Sequence, residues 1–148
     1  MTIWTFQRFV SRALLAWSAV SAGIGFALRM WGTPFSRGVS DQFLGWPVIN
    51  GGIALFGAFS AARREWTLDD AATPERRTRE ARNLRRLLAI NAGLDLAYMT
   101  GGLALLLRRG ASPRARGAGL GILLQGAFLF TFDSLLSLRV PDVQPRSG

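Results

Sequence analysis

Long apolar runs separated by charged segments are the dominant pattern of this sequence. Residues 9–28, 43–62, 87–107 and 118–138 together contain only three charged side chains, Arg12, Asp95 and Asp133. An apolar run of about 20 residues crosses the hydrocarbon core of a bilayer as one helix, whereas a helix of a soluble bundle carries a polar face along its length. The pattern therefore predicts an all-α fold, a four-transmembrane-helix bundle, with residues 1–148 forming a single integral membrane domain.

The first apolar run has an alternative interpretation. Arg8 and Arg12, the apolar stretch after them and Val20-Ser21-Ala22 fit a secretory signal peptide with its cleavage site. Apolar sequence continues beyond that point through Phe26 and Leu28. We therefore expect a retained span, in which the Arg12 side chain extends toward the membrane interface.

The distribution of arginine predicts how the spans are oriented. Twelve Arg lie in the two terminal segments and the 63–86 loop, and six lie in the other two connections. Because cytoplasmic loops collect basic residues, we expect both termini in the cytoplasm. Trp4 and Trp66 near the inner ends of the spans, and Trp31 and Trp46 near the outer ends, predict interfacial aromatic belts.

The composition excludes much familiar chemistry. The chain has no Cys and no His, which removes thiolate and imidazole metal sites, His-ligated haem and His-based catalysis. We therefore expect no catalytic, cofactor-binding or metal site. The net charge is +9 and every basic residue is Arg. Such a charge is also typical of nucleic-acid binding, but arginine beside membrane spans accounts for it, so no nucleic-acid partner is expected.

The 63–86 loop is the longest charged segment. Thr73, Pro74 and Glu75 are typical of an N-cap, a first-turn Pro and a first-turn acid, so the third helix is expected to begin there and extend into the cytoplasm. Glu75 and Arg79, and Arg76 and Glu80, are spaced for two ion pairs within that helix. The favoured interpretation of the remaining charge is a solvated helix that sets the orientation, and the alternative is a surface for anionic lipid headgroups. The candidate lipid contacts are Arg76, Arg77, Arg79, Arg82, Arg85 and Arg86.

Glycine and proline mark the other connections. Residues 29–42, which include Gly38, and residues 108–117, which include Gly117, predict short irregular connectors. Residues 141–148 contain two Pro and predict a disordered tail.

The two halves of the chain show a weak internal repeat. Leu14-Leu15-Ala16 resembles Leu87-Leu88-Ala89, and Asn50-Gly51 resembles Gln125-Gly126. Repeats of this order predict two helical hairpins related in parallel, rather than inverted, orientation.

Polar side chains inside the spans form a candidate network. Asn91, Asp95 and Tyr98 are spaced to share one face of the third helix, and Gln125 and Asp133 share a face of the fourth. Polar side chains are costly at membrane depth, so they are expected to face the bundle interior and one another. Asp95 is the ionisable group nearest the midplane, and Arg12 is a candidate partner for Asp133. The network comprises Asn50, Asn91, Asp95, Tyr98, Gln125 and Asp133.

The network has two interpretations. The favoured one is structural, because interhelical hydrogen bonds contribute about 0.6–2 kcal/mol each in membranes. The alternative is a proton or small-solute site, in which Asp95 titrates while Tyr98, Asn50 and Gln125 orient the solute.

Three segments carry a family resemblance. Trp46-Pro-Val-Ile-Asn50, Asn91-Ala-Gly-Leu-Asp95-Leu-Ala-Tyr98 and Gln125-Gly-Ala-Phe-Leu-Phe-Thr-Phe-Asp133 resemble the pattern of an uncharacterised family of small bacterial four-span integral membrane proteins. The resemblance covers most of the chain through its spans. It implies the four-span architecture and no assigned activity.

These patterns lead to one functional expectation and one alternative. The expectation is a non-catalytic accessory subunit or self-associating bundle, whose partner is a second copy or another membrane protein. The alternative is a small proton- or solute-conducting transporter or channel-like protein that uses Asp95 as its titrating group. A cavity around the polar residues favours the alternative, and a dry helix contact favours the expectation.

Overall fold

Four long helices make up the computed structural model, which describes residues 1–141. They are α1 (Ile3–Met30), α2 (Pro34–Thr67), α3 (Pro74–Leu107) and α4 (Pro113–Arg139). The described residues contain no strand. All four helices are long and apolar enough to cross a membrane, which confirms the all-α, four-helix prediction. Of the predicted tail, residues 142–148 lie outside the described residues.

Each helix begins at the same kind of local signal. Thr2, Thr33, Thr73 and Ser112 have extended backbones, and each hydroxyl accepts a hydrogen bond from the backbone N–H three residues on. This N-cap is followed directly by Pro in α2, α3 and α4, where the fixed φ suits the first helical turn. The predicted start of the third helix at Thr73 is confirmed. The predicted irregular connectors are wrong in extent, because the same capping signal begins a helix inside each of them.

Much of the apolar surface of the helices points away from the bundle interior. Phe26, Phe56 and Phe59 are 66%, 73% and 68% exposed. A soluble monomer rarely leaves large apolar patches in contact with water. Apolar faces of this length instead match the hydrocarbon core of a bilayer. The protein is therefore a membrane protein.

The helices pack in the order α1, α2, α4, α3, and the contacts between α2 and α3 are few. The chain reverses direction after each helix, so α1 and α3 run one way and α2 and α4 the other. One end of the bundle, the terminal end, holds the N-terminus, the α2–α3 connection and the C-terminal end of α4. The other end, the hairpin end, holds the α1–α2 and α3–α4 connections. The α1–α2 hairpin and the α3–α4 hairpin therefore point the same way, and the internal sequence repeat stays a prediction.

Glycine allows α2 and α4 to approach closely at the hairpin end. A Cβ on Gly38 would overlap the backbone carbonyl of Arg114, and a Cβ on Gly117 would overlap that of Phe35. The two contacts are reciprocal, because in each helix the contacted carbonyl belongs to the residue three positions before the glycine. Backbone-to-backbone contact through small residues is the usual way in which helices pack in membranes.

An apolar core closes the terminal end. Ile3, Phe6 and Leu88 are at most 3% exposed and bring α1 against α3. Trp4 is 2% exposed, and its indole N–H donates to the Ala71 carbonyl at 3.1 Å. The expectation that Trp4 lies in an interfacial belt is therefore wrong, since the α2–α3 connection covers it.

An ion cluster links α1, α2 and α4 at the hairpin end. Asp41 Oδ1 lies 2.5 Å from Nη1 of Arg29, and Oδ2 lies 2.6 Å from Nη2 of Arg114. Asp41 lies outside the apolar part of α2. The hydrogen bond from Arg114, and then the Arg29 guanidinium, hold the pKa of Asp41 below its usual value despite partial desolvation.

Candidate functional site

A cleft between α2 and α3 contains most of the predicted polar network. Because these two helices barely pack on each other, they leave two neighbouring cavities whose floor is formed by α1 and α4. The cavity nearer the middle of the bundle, here the central cavity, has a volume of about 170 Å³. The cavity nearer the terminal end, here the terminal cavity, has a volume of about 220 Å³. Both are lined by Leu14, Ile53, Asn91 and Asp133.

Asp95 and Asn50 lie on opposite walls of the central cavity, since one belongs to α3 and the other to α2. Asp95 is 5% exposed and Asn50 is 4% exposed. The Asp95 Oδ2 acceptor and the Asn50 Nδ2 donor are buried and have no hydrogen-bond partner in the described part of the chain. A buried polar atom without a partner costs about 1–3 kcal/mol, so most buried polar atoms are paired. One acceptor and one donor without a partner are therefore buried in the wall of the central cavity.

Asp133 lies where the two cavities meet. It is 7% exposed, and the Asn91 side chain interacts with its carboxyl. The candidate partner Arg12 is exposed and makes no ion pair with Asp133. The expectation of that pair is wrong, because Arg12 lies on a face of α1 that turns away from the bundle.

Trp46 and Tyr98 close the cleft toward the hairpin end. Their rings meet edge to face, with centroids 5.2 Å apart and an interplanar angle of 75°. Both side chains line the central cavity, and Tyr98 is 45% exposed. Edge-to-face aromatic pairs stabilise packing by about 0.5–1.5 kcal/mol beyond the area they bury. The pair gives the central cavity an aromatic wall between α2 and α3.

Gln125 belongs to a different contact. Its side chain is fully buried, its Nε2 donates to Ser21 Oγ, and its Oε1 accepts from Trp17 Nε1 at 3.1 Å. The Trp17 ring stacks on Phe128 at a centroid distance of 3.6 Å. Gln125 is not among the residues that line either cavity. The predicted network is thus divided into a cleft around Asp95 and a buried, hydrogen-bonded α1–α4 contact around Gln125.

Glu80 is a buried acid at the terminal cavity. The sequence predicted for it only an ion pair within α3. Glu80 is 6% exposed and lies 3.3 Å from Arg64 Nε of α2 and 3.5 Å from Arg76 Nη2 of its own helix. It also accepts a hydrogen bond from Gln7 Nε2 of α1 at 3.4 Å. The predicted Arg76–Glu80 ion pair is confirmed, whereas Glu75 and Arg79 form no ion pair with each other in the described part of the chain. The spacing of Glu80 within α3 was visible in the sequence, whereas its contacts with α1 and α2 depend on the tertiary fold.

The candidate lipid-binding arginines are divided by the same packing. Arg79, Arg82 and Arg86 are exposed. Arg76 is occupied by Glu80, and Arg85 donates to the Val140 carbonyl at 3.1 Å. Arg77 is partly buried. Only the exposed half of the predicted set is presented to the surroundings of the bundle.

A four-helix membrane bundle with a polar cleft between two of its helices is the class of protein that this fold and site define. The chain belongs to a family of unknown function, DUF6992, whose sequence model matches residues 13–134. The matched range includes Asn50, Asp95 and Asp133. Comparison with curated proteins and with solved structures found no match. The predicted membership of an uncharacterised family is confirmed, and the family brings no activity with it.

Proposed function

We propose that this is a non-catalytic membrane protein that admits a proton or a small polar solute to Asp95 through the α2–α3 cleft. The observation that carries the proposal is the pair of buried, unpartnered atoms, Asp95 Oδ2 and Asn50 Nδ2, on one cavity. A purely structural contact would pair these atoms, as the Gln125 contact does. The cleft therefore supports solute access better than it supports helix packing.

The polar lining of the two cavities supports a route to Asp95 from the terminal end. Glu80 and Arg64 line the terminal cavity at its outer limit. Asn91 and Asp133 line both cavities, and Asp95 lines the central one. Beyond the Glu80–Arg64 pair, a proton or solute would meet Asn91, Asp133 and Asp95 in a lining that is otherwise mostly apolar. Ionisable groups inside membrane spans commonly mark such pathways.

The test is flux through the full chain in proteoliposomes that contain a pH-sensitive dye and carry a potassium diffusion potential. We expect pH-dependent proton or solute entry with the native protein and at least a tenfold lower rate with Asp95→Asn. Asp69→Asn is the matched control, because Asp69 is exposed in the α2–α3 connection. Absence of flux by the native protein over a panel of protons and small polar solutes would refute the proposal.

A non-catalytic accessory or self-associating bundle is the second candidate. The buried contact of Gln125 with Ser21 and Trp17 favours it, because hydrogen-bonded polar groups between helices act as structural connections. Under this candidate, Asp95→Asn changes the stability or the oligomeric state of the detergent-solubilised protein and no flux is present. Flux that disappears in Asp95→Asn, with an unchanged oligomeric state, excludes it.

We also propose that the protein lies in a bacterial cytoplasmic membrane with both termini in the cytoplasm, on the strength of its arginine distribution. The chain lacks Cys, so one introduced Cys is a unique label. In intact cells, a membrane-impermeant maleimide should label Arg109→Cys at the hairpin end. It should label Ala72→Cys, in the α2–α3 connection, only after permeabilisation. The reverse pattern would contradict this orientation.

The exposed face of α3 at the terminal end supports contact with anionic lipid headgroups. Arg79, Arg82 and Arg86 extend from this face, and each basic residue near an anionic surface contributes about 1 kcal/mol of attraction. Replacing all three by Gln should reduce retention of phosphatidylglycerol by the purified protein. Arg37→Gln, at an exposed position of the hairpin end, is the control. Equal retention by the triple variant and the control would exclude the contact.

A further inference from the structure

The central cavity has the residue composition of a cation site. Asp95 and Asp133 contribute two carboxyls to its lining, and no arginine lines it. Arg64 lines the terminal cavity instead, where it pairs with Glu80. In surroundings of low dielectric constant an uncompensated carboxylate attracts a positive partner strongly. The ligand that best complements the cavity is therefore a cation.

The unpartnered atoms define the hydrogen bonds that the ligand must make. Asp95 Oδ2 accepts, so the ligand must donate there. Asn50 Nδ2 donates, so the ligand must also carry an acceptor. One molecule that lies between α2 and α3 can satisfy both atoms, with a donor group at Asp95 and an acceptor group at Asn50. A metal ion can bind the Asp95 oxygen but offers no acceptor to Asn50 Nδ2. The described residues also contain no group of three or more acids that would hold a metal ion.

The remaining walls describe the rest of the ligand. Trp46 and Tyr98 supply an aromatic surface, and an ammonium group near an aromatic face is stabilised by about 0.5–2 kcal/mol. Ile49, Leu94 and Leu129 are apolar and suit a short carbon chain. An engineered cavity of about 150 Å³ accommodates benzene, so a cavity of about 170 Å³ accommodates a molecule of a similar size.

We propose that the central cavity binds a small organic ammonium ion that also carries an oxygen acceptor, with the ammonium at Asp95 and the oxygen at Asn50. The aromatic wall of Trp46 and Tyr98 lies beside this site. An amino alcohol of about six non-hydrogen atoms is the simplest ligand of this class, because its size is close to that of benzene. The proposal rests on the proposed function, since it names the solute that the α2–α3 cleft admits.

The experiment is calorimetric titration of the full chain in phosphatidylcholine nanodiscs with three ligands of equal size. These are 4-aminobutan-1-ol, pentylamine, which lacks the oxygen, and pentan-1-ol, which lacks the charge. We expect 4-aminobutan-1-ol to bind about fivefold to tenfold more tightly than pentylamine, the ratio that one additional hydrogen bond produces. We expect pentan-1-ol to bind at least tenfold more weakly than pentylamine.

Two cleft variants and one control assign the contacts. Asp95→Asn should remove the preference for the amines over the alcohol. Asn50→Leu should remove the advantage of 4-aminobutan-1-ol over pentylamine. Asp69→Asn, outside the cleft, should bind as the native protein does. Circular dichroism of each nanodisc sample shows whether the variant is folded, and Asn50→Leu still tests the proposal if Asp95→Asn does not fold.

Several results would overturn the ammonium site. They are equal binding of 4-aminobutan-1-ol and pentan-1-ol, an unchanged profile in a folded Asp95→Asn protein, or sodium chloride competing as well as the amines. Weaker amine binding in nanodiscs that contain phosphatidylethanolamine would support the ammonium chemistry and identify a lipid headgroup as its source. Amine binding without flux would support the ammonium site and refute the proposed transport function. Proton flux without amine binding would support the transport function and refute the ammonium site.

Discussion

Gly117 offers a direct test of the close contact between α2 and α4. A Cβ at this position would overlap the Phe35 carbonyl oxygen and lie 2.9 Å from the carbonyl carbon and 3.2 Å from the Phe35 Cα. All three atoms belong to the backbone of α2, so no side-chain rotation relieves the overlap. Overpacking of this kind costs about 1–3 kcal/mol, and a rigid backbone obstacle places Gly117→Ala at the upper end of that range.

The reciprocal contact makes the prediction sharper. Gly38→Ala meets the Arg114 carbonyl and lies 2.8 Å from the Ala118 nitrogen, so it should have a similar cost. Both substitutions are relieved by the same separation of α2 from α4. The double variant should therefore lose less stability than the sum of the single losses, by about 0.5–3 kcal/mol.

The assay is reversible unfolding of the full chain in mixed detergent micelles, followed by circular dichroism and tryptophan fluorescence. Gly45→Ala is the matched control, because Gly45 lies in α2 and a Cβ there would meet nothing within 4 Å. The control should change the unfolding free energy by at most about 1 kcal/mol, and toward higher stability, because Ala restricts the unfolded chain. Equal effects of Gly117→Ala and Gly45→Ala, or additive effects in the double variant, would refute the close contact.

Three further substitutions test other parts of the bundle. Gln125→Leu should lower the unfolding free energy by about 1–2 kcal/mol in the same assay, because it leaves the Trp17 indole N–H without an acceptor; an unchanged Trp17 environment and stability would contradict this. Glu80→Gln should lower the unfolding free energy by about 1–3 kcal/mol. The loss is smaller than for a fully buried ion pair because the two arginine partners are partly exposed. A loss no larger than that of Glu75→Gln, at an exposed position, would contradict this prediction. Asp41 has a lowered pKa in the folded protein, so its ionised form stabilises the fold by up to about 1 kcal/mol. This stabilisation is present when the pH is above the ordinary carboxyl pKa, and it is lost as the pH falls through the lower folded-state pKa. Thermal unfolding of Asp41→Asn should therefore show a smaller loss of stability on acidification below about pH 4 than the native protein, and parallel pH profiles would contradict the role of the Arg114 hydrogen bond.

The helices could be predicted from the sequence because their signals are local. A run of apolar residues needs only the bilayer to become a helix, and an N-cap such as Thr73 acts on the N–H of a residue three positions on. Thr33 and Ser112 carry the same capping signal, which predicts that α2 and α4 begin inside the segments interpreted as connectors. Gly38 and Gly117 suggested an irregular chain, whereas in the structure they lie within helices and permit close packing.

The polar network could be predicted in membership but not in connectivity. Its residues were recognisable because a polar side chain at membrane depth is costly wherever its helix lies. Whether Gln125 meets Asp95 or Ser21 depends on which helices are neighbours and on how each is rotated about its axis. Neither property is encoded in the spacing along one helix.

By itself, the sequence determined that the chain has four apolar helices, that its charge is confined largely to their ends, and that a few polar residues lie between. The tertiary structure decided that α2 pairs closely with α4 and leaves a cleft toward α3. Gly38 and Gly117 permit that pairing, and Asp95 Oδ2 and Asn50 Nδ2 lie without partners in the wall of the cleft. The physical reason is that apolar run length and capping are short-range properties, whereas the fit of one helix against another depends on atoms far apart in the chain.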